Sequence, residues 1–141
     1  MKGLNSREIR EIHRKLNEQF GITAELNYLF FANNEDKIYL INKDFLKVAL
    51  NRFRVNSFGL YFGKIEKNGI RLNISGSQLI GDKIKNNLFE TDKKEEWLNG
   101  NNLECSKDMN DWVVVKNGKD YLGCGYCKNG ILMNFIPKTR K

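Results

Sequence analysis

Cys124-Gly125-Tyr126-Cys127 is the spacing that first suggests chemistry, because two thiols three residues apart can exchange a disulfide or supply half of a zinc site. A redox pair needs its first cysteine at a helix N-terminus, where the thiol pKa falls. This pair lies instead on a segment that reads as a strand running into a turn. A zinc site needs two more ligands, and Cys105 and His13, the single histidine, are all that remain. Three cysteines without a secretory leader point to reduced thiols rather than a disulfide framework. The expectation is small buried thiols beside strand glycines, and no metal. His13 lies one turn from Ile9 and next to Ile12, at the edge of an apolar stripe, and no serine and carboxylate can be placed with it as a catalytic set. The carboxylates are scattered among lysines, and no glycine-rich loop opens a helix after a strand as a nucleotide site requires. No catalytic residue or cofactor is assigned, and the chain is not expected to be an enzyme.

The basic residues carry a clearer signal. A formal net charge of +7 suits a polyanionic partner, and equally suits plain solubility in a chain rich in lysine and asparagine. Distribution separates the two. From Trp112 onward, Lys116, Lys119, Lys128, Lys138, Arg140 and Lys141 face a single acid, Asp120. Asn129, Asn134 and Thr139 are interleaved with them, a mixture suited to phosphate and 2′-hydroxyl contacts that read RNA shape more than sequence. The competing reading is a frayed, soluble terminus. Trp97, Trp112, Tyr121, Tyr126 and Phe135 have faces on which bases could stack, although most are needed to fill a small core. Tyr126, beside a turn and the basic tail, joins these polar residues in the candidate RNA-binding set. A second basic group, Lys43, Lys47, Arg52 and Arg54, faces Asp44 alone and reads as a solvated helix surface or a secondary contact. Lys64 and Arg71 extend either surface.

The elements that must position these residues follow from periodicity. At 141 residues, 40% apolar, the chain can bury a core without metal or disulfides. No apolar run approaches the roughly 20 residues of a membrane span, and the charged start lacks a signal-peptide core, so a cytoplasmic protein is expected. Ile9, Ile12, Leu16 and Phe20 predict a helix over residues 5–20, capped at Asn5 or Ser6 and stopped at Gly21. Strands are expected over residues 28–32 and 37–41, then a second helix over 43–52. Two further strands, 57–65 and 70–74, flank the Asn68-Gly69 turn. Residues 82–87 form a polar boundary, and a short helix over 92–98 is expected to turn Trp97 and Leu98 inward. Strands over 112–115, 121–126 and 131–136, joined by Asn117-Gly118 and Asn129-Gly130, predict an antiparallel meander.

In that order the segments resemble a known family. Ser57-Phe58-Gly59-Leu60-Tyr61-Phe62-Gly63-Lys64-Ile65 followed by Arg71-Leu72 resembles the N-terminal half of the small ribosome-biogenesis factors of the Nip type, which pair a pre-PUA α/β domain with a PUA barrel. Glu96-Trp97-Leu98-Asn99-Gly100-Asn101-Asn102-Leu103 resembles the helix-to-glycine step that opens that barrel, and Tyr121-Leu122-Gly123-Cys124-Gly125 is similar to its Leu-Gly-x-Gly strand. The ending, Asn134-Phe135-Ile136-Pro137-Lys138-Thr139-Arg140-Lys141, resembles the PUA-like tail of the NOL/NOP/Sun-type rRNA cytosine methyltransferases. Their catalytic cysteine follows a proline; here Pro137 is followed by Lys138. The resemblance implies an α+β chain, with a pre-PUA-like α/β domain over residues 1–82 and a small PUA-like β-barrel over 83–141. It implies binding of structured RNA, rRNA or tRNA, as an accessory to ribosome biogenesis, rRNA processing or RNA modification. The alternative is an adaptor that docks onto a ribosome-assembly factor or an RNA-modifying enzyme.

Overall fold

Asn5 decides where the first helix begins. In the computed structural model, which describes residues 1–43 and 59–137, its side chain accepts from the Glu8 N–H at 2.9 Å while Glu8 accepts from the Asn5 N–H at 3.0 Å. This reciprocal cap opens α1 (Ser6–Phe20), and Gly21 ends it in the left-handed conformation at φ 69°. Ile12, Leu16 and Phe20 are buried along one face, as their spacing requires. Gln19 is buried among them. Its amide donates to Ile70 O at 2.7 Å and accepts from Ile70 N–H at 2.9 Å, so it continues the hydrogen bonding of a sheet edge.

That sheet is a meander in chain order: β1 (Lys2–Gly3), β2 (Leu29–Ala32), β3 (Lys37–Ile41), β4 (Leu60–Glu66) and β5 (Gly69–Leu72). Alternation turns Ile38, Leu40, Ile70 and Leu72 toward α1. Opposite Ile38 and Tyr39 the register slips, and Phe62 of β4 is the extra, fully buried residue. The helix expected over 43–52 lies outside the described residues beyond its first position.

Ile74, expected to end a strand, instead begins a helix, α2 (Ile74–Ile80). Asn73 caps it by accepting from Gly76 N–H at 2.7 Å. A Cβ at Gly76 would overlap the Phe62 carbonyl, so glycine lets the helix lie directly on β4. Ser77 Oγ accepts from the Gly123 N–H at 2.9 Å and ties the helix to the second sheet.

The second sheet contains β6 (Leu88–Glu90), β7 (Leu103–Glu104), β8 (Asp111–Asn117), β9 (Asp120–Lys128) and β10 (Ile131–Asn134) in the order β6-β8-β9-β10-β7. The meander β8-β9-β10 forms as expected, and its second turn places Asn129 and Gly130 both at positive φ. The barrel is not closed. The sheet curls toward a half-barrel, because its edge strands β6 and β7, three and two residues long, do not pair with each other. The short helix α3 (Lys94–Leu98) buries Trp97 completely, with its indole N–H donating to Leu122 O at 3.0 Å. Leu98, expected inward, is turned out to solvent, since successive helix residues lie about 100° apart.

Two cores result. Trp97, Leu103, Val113, Val115, Leu122, Cys127 and Leu132 fill the hollow of the half-barrel. Trp112, Val114 and Cys124, on the other face of the same strands, join Ile12, Leu16, Phe20 and Phe62 in one core shared by both halves.

Candidate nucleic-acid interface

The thiols separate first. Three residues apart on a strand, Cys124 and Cys127 point to opposite faces and into different cores. The expectation of three reduced thiols is corrected, because Cys105 and Cys127 are joined in a disulfide with their Cα atoms 6.4 Å apart. Pairing of β7 with β10 makes this possible, and Cys105 N–H reaches Gly130 O at 3.0 Å to hold the cysteine beside β9. Cys124 stays a free thiol, pushed up to about 12 by burial. His13 is held by the backbone, with Nδ1 3.0 Å from Ile9 O and Nε2 accepting from Leu26 N–H at 2.9 Å. Among the described residues, no three of the His, Cys, Asp and Glu side chains converge as a metal set would.

The expected RNA-binding residues fall in several places. Lys116 and Lys119 lie at the β8–β9 turn, with Lys116 Nζ 5.4 Å from the Tyr121 ring centre. Lys128 and Asn129 are exposed at the opposite end of β9, about 27 Å away at the rise of a strand. The structure therefore does not bring these two pairs together. Tyr126 is half-buried, its ring against Trp112 and its hydroxyl 3.2 Å from Asn110 Oδ1. Asn134 fastens the chain internally. Its amide donates to Trp97 O and Asn101 O at 2.7 and 3.0 Å, and its carbonyl accepts from Ile136 N–H at 2.8 Å. Lys43 is exposed. Lys47, Arg52, Arg54, Lys138, Thr139, Arg140 and Lys141 lie outside the described residues.

A different set does come together. Lys37 on β3 pairs in register with Lys64 on β4, and Lys64 pairs with Arg71 on β5. Directly opposed residues share a face, so three cations stand in one row across the sheet, on the side away from α1. Tyr39 and Tyr61 oppose each other on the same face, with ring centres 5.4 Å apart, and Lys37 Nζ lies 5.8 Å from the Tyr61 ring. Glu66 lies 2.9 Å from Arg71 Nε, off the direction of its N–H, and Glu35 is 3.9 Å from Lys37. Lys64 has no ion pair among the described residues. Lys37 was absent from the sequence-derived set, because its alignment with Lys64 depends on the Phe62 bulge.

The row ends at a cleft. Arg71 stacks on Phe135, 4.9 Å from guanidinium to ring centre, and Phe135 rests on Trp112 at 5.0 Å. Tyr61, Arg71, Asn73 and Ser75 form one wall of the cleft, and Gly123, Phe135 and Pro137 line the other. Burial raises the Tyr61 phenol above its ordinary value, against the pull of Arg71, so the hydroxyl keeps its proton. In sequence, Pro137 is followed directly by the cationic tail.

The comparisons agree with this two-part architecture. The family described as "Methyltransferase RsmF PUA domain" matches residues 86–140, the half-barrel and tail. No curated protein matches the chain. The family described as "NIP7/UPF0113, pre-PUA domain" matches residues 1–74, from β1 through the cation row to the start of α2. Since that match spans more than half of the 141 residues, the chain belongs to the NIP7/UPF0113 pre-PUA domain family.

Proposed function

We propose that the protein binds structured RNA, rRNA or tRNA, as an accessory in ribosome biogenesis or RNA modification. The row Lys37–Lys64–Arg71 carries this reading. Like charges set directly opposite each other on neighbouring strands cost stability, and a partner with closely spaced negative charges turns that cost into affinity. The matches to a pre-PUA domain family and to a methyltransferase PUA domain family support it. Lys138, Arg140 and Lys141, which follow the cleft residue Pro137 in sequence, add phosphate contacts in this reading, and Lys116, Lys119 and Lys128 serve longer RNAs that reach the ends of β9. The direct test is affinity for a structured RNA as a function of salt, for the native chain and for a chain whose row has been neutralised. A second reading, docking onto an RNA-modifying enzyme, is favoured by Ile131 and Met133, exposed on one face of β10. Substituting these two by serine leaves RNA affinity unchanged under the first reading and abolishes enzyme capture under the second.

A further inference from the structure

We propose that the cleft between the two halves takes one unpaired base of the bound RNA, while the cation row holds the phosphates beside it. The inference rests on the RNA-binding reading and adds a specificity to it. The cavity measures about 130 Å³, room for a single flat ring system and too narrow for a duplex. Its walls are mixed. Tyr61 and the Arg71–Phe135 stack line it with aromatic and guanidinium groups, and Ile74 and Ile136 supply apolar contact. Unstacked bases are held in this way, between aromatic rings and guanidinium planes.

A phosphate suits the cleft less well. Among the described residues Arg71 is the one cation lining it, and the Glu66 carboxylate 2.9 Å from Nε offsets that charge. A neutral base, with an apolar face and a polar edge, meets both kinds of wall. Asn73 can meet that edge. Its carbonyl is committed to capping α2 at Gly76 N–H, which fixes the amide so that its Nδ2 remains as a donor, and Ser75 adds a hydroxyl. Phosphates then belong outside, at Lys37 and Lys64 on the adjoining strands. A base already unpaired enters at least cost, because no pair or stack has to be broken.

The experiment uses the full chain and three RNAs of identical stem: a blunt duplex, the same duplex with one bulged nucleotide, and the bulged duplex made abasic at that position. The bulged RNA is expected to bind roughly tenfold tighter than the other two, within the range of one base-stacking contact. A fluorescent purine at the bulge should be quenched on binding. Phe135→Leu, which keeps apolar packing against Trp112 and removes the ring face, should bring the bulged and abasic affinities together. Lys37→Gln with Lys64→Gln should weaken all three RNAs alike and leave their ratio unchanged. Equal affinity of the native chain for all three would overturn the base pocket and leave RNA binding standing. No affinity for any of them would overturn both.

Discussion

Replacing Lys37 and Lys64 together by glutamine separates a binding surface from a structural one, because the two roles predict opposite changes in stability. Glutamine keeps a long polar side chain and removes the charge, so the strands remain paired through their backbones. Each phosphate contact contributes about 0.7 to 0.9 to the slope of log affinity against log salt, so losing two should flatten that slope by roughly 1.4 to 1.8. Between about 50 and 200 mM salt, the native protein's extra loss of affinity then shrinks roughly seven- to twelvefold. Stability should move the other way. Lys64 faces Lys37 on one side and Arg71 on the other, and each opposed like-charge pair costs about 0.2 to 1 kcal/mol. Relief of both pairs amounts to about 0.4 to 2 kcal/mol, less what is lost with the exposed Lys37–Glu35 pair, so the double variant is expected to be as stable as the native chain or up to about 2 kcal/mol more so. Fluorescence anisotropy with a labelled RNA hairpin across a salt series gives the slope, and urea unfolding gives the stability. An unchanged slope would refute the assignment of the row to phosphate. A clear loss of stability would show that the row exists to hold the sheet.

Three further outcomes are expected. Changing Lys138, Arg140 and Lys141 to alanine should flatten the salt slope by roughly two units, and the same change at Lys43, Lys47 and Arg52 should do less, as anisotropy will show. Gln19→Ala leaves the buried N–H and C=O of Ile70 without partners, and at about 1 to 3 kcal/mol per orphaned group it should cost roughly 2 to 6 kcal/mol in urea unfolding. Reduction of Cys105–Cys127, which closes a loop over a separation of 22 residues, should lower stability by about 3 kcal/mol. In the oxidised, unfolded chain a thiol titration should find Cys124 alone, and in the folded chain Cys124, with its pKa pushed up to about 12, should resist alkylation. Three reactive thiols without reductant would remove the disulfide from the account.

How far the sequence spoke depended on the range of the forces involved. Helix α1 was legible because Asn5, Glu8 and Gly21 act within one turn and the stripe Ile12, Leu16, Phe20 repeats locally. The hairpins were legible because Asn-Gly pairs specify their own turns. Helix α2 was not. It is seven residues long, and Gly76 and Ser77 are poor helix formers placed there by contact with the Phe62 carbonyl and Gly123 N–H, partners distant in sequence. The cation row is hidden for a similar reason: Lys64 and Arg71 flank a turn that the sequence marks, but Lys37 is aligned with them by a bulge that no composition reveals. Cys105–Cys127 depends on a two-residue strand joining the sheet edge, which periodicity cannot detect. The polar tail was obvious, and the cleft it follows was not, because Arg71 and Phe135 meet only when both halves are folded.

The shared core has a consequence for the time during which this chain is made. The apolar face of α1 finds part of its cover in Trp112, Val114 and Cys124, which come from the last third of the sequence. A ribosome adding about 5 to 20 residues per second needs roughly 5 to 20 seconds to travel from Ile12 to Trp112. For that interval the first sheet waits with one side incomplete, and Gln19 and Ile70 can close their bridge well before the surrounding core is dry. Nascent chains are therefore expected to engage chaperones until β8 and β9 emerge. A chain stopped ahead of β8 stays in that state, so the first half made alone should be recovered mainly as aggregate.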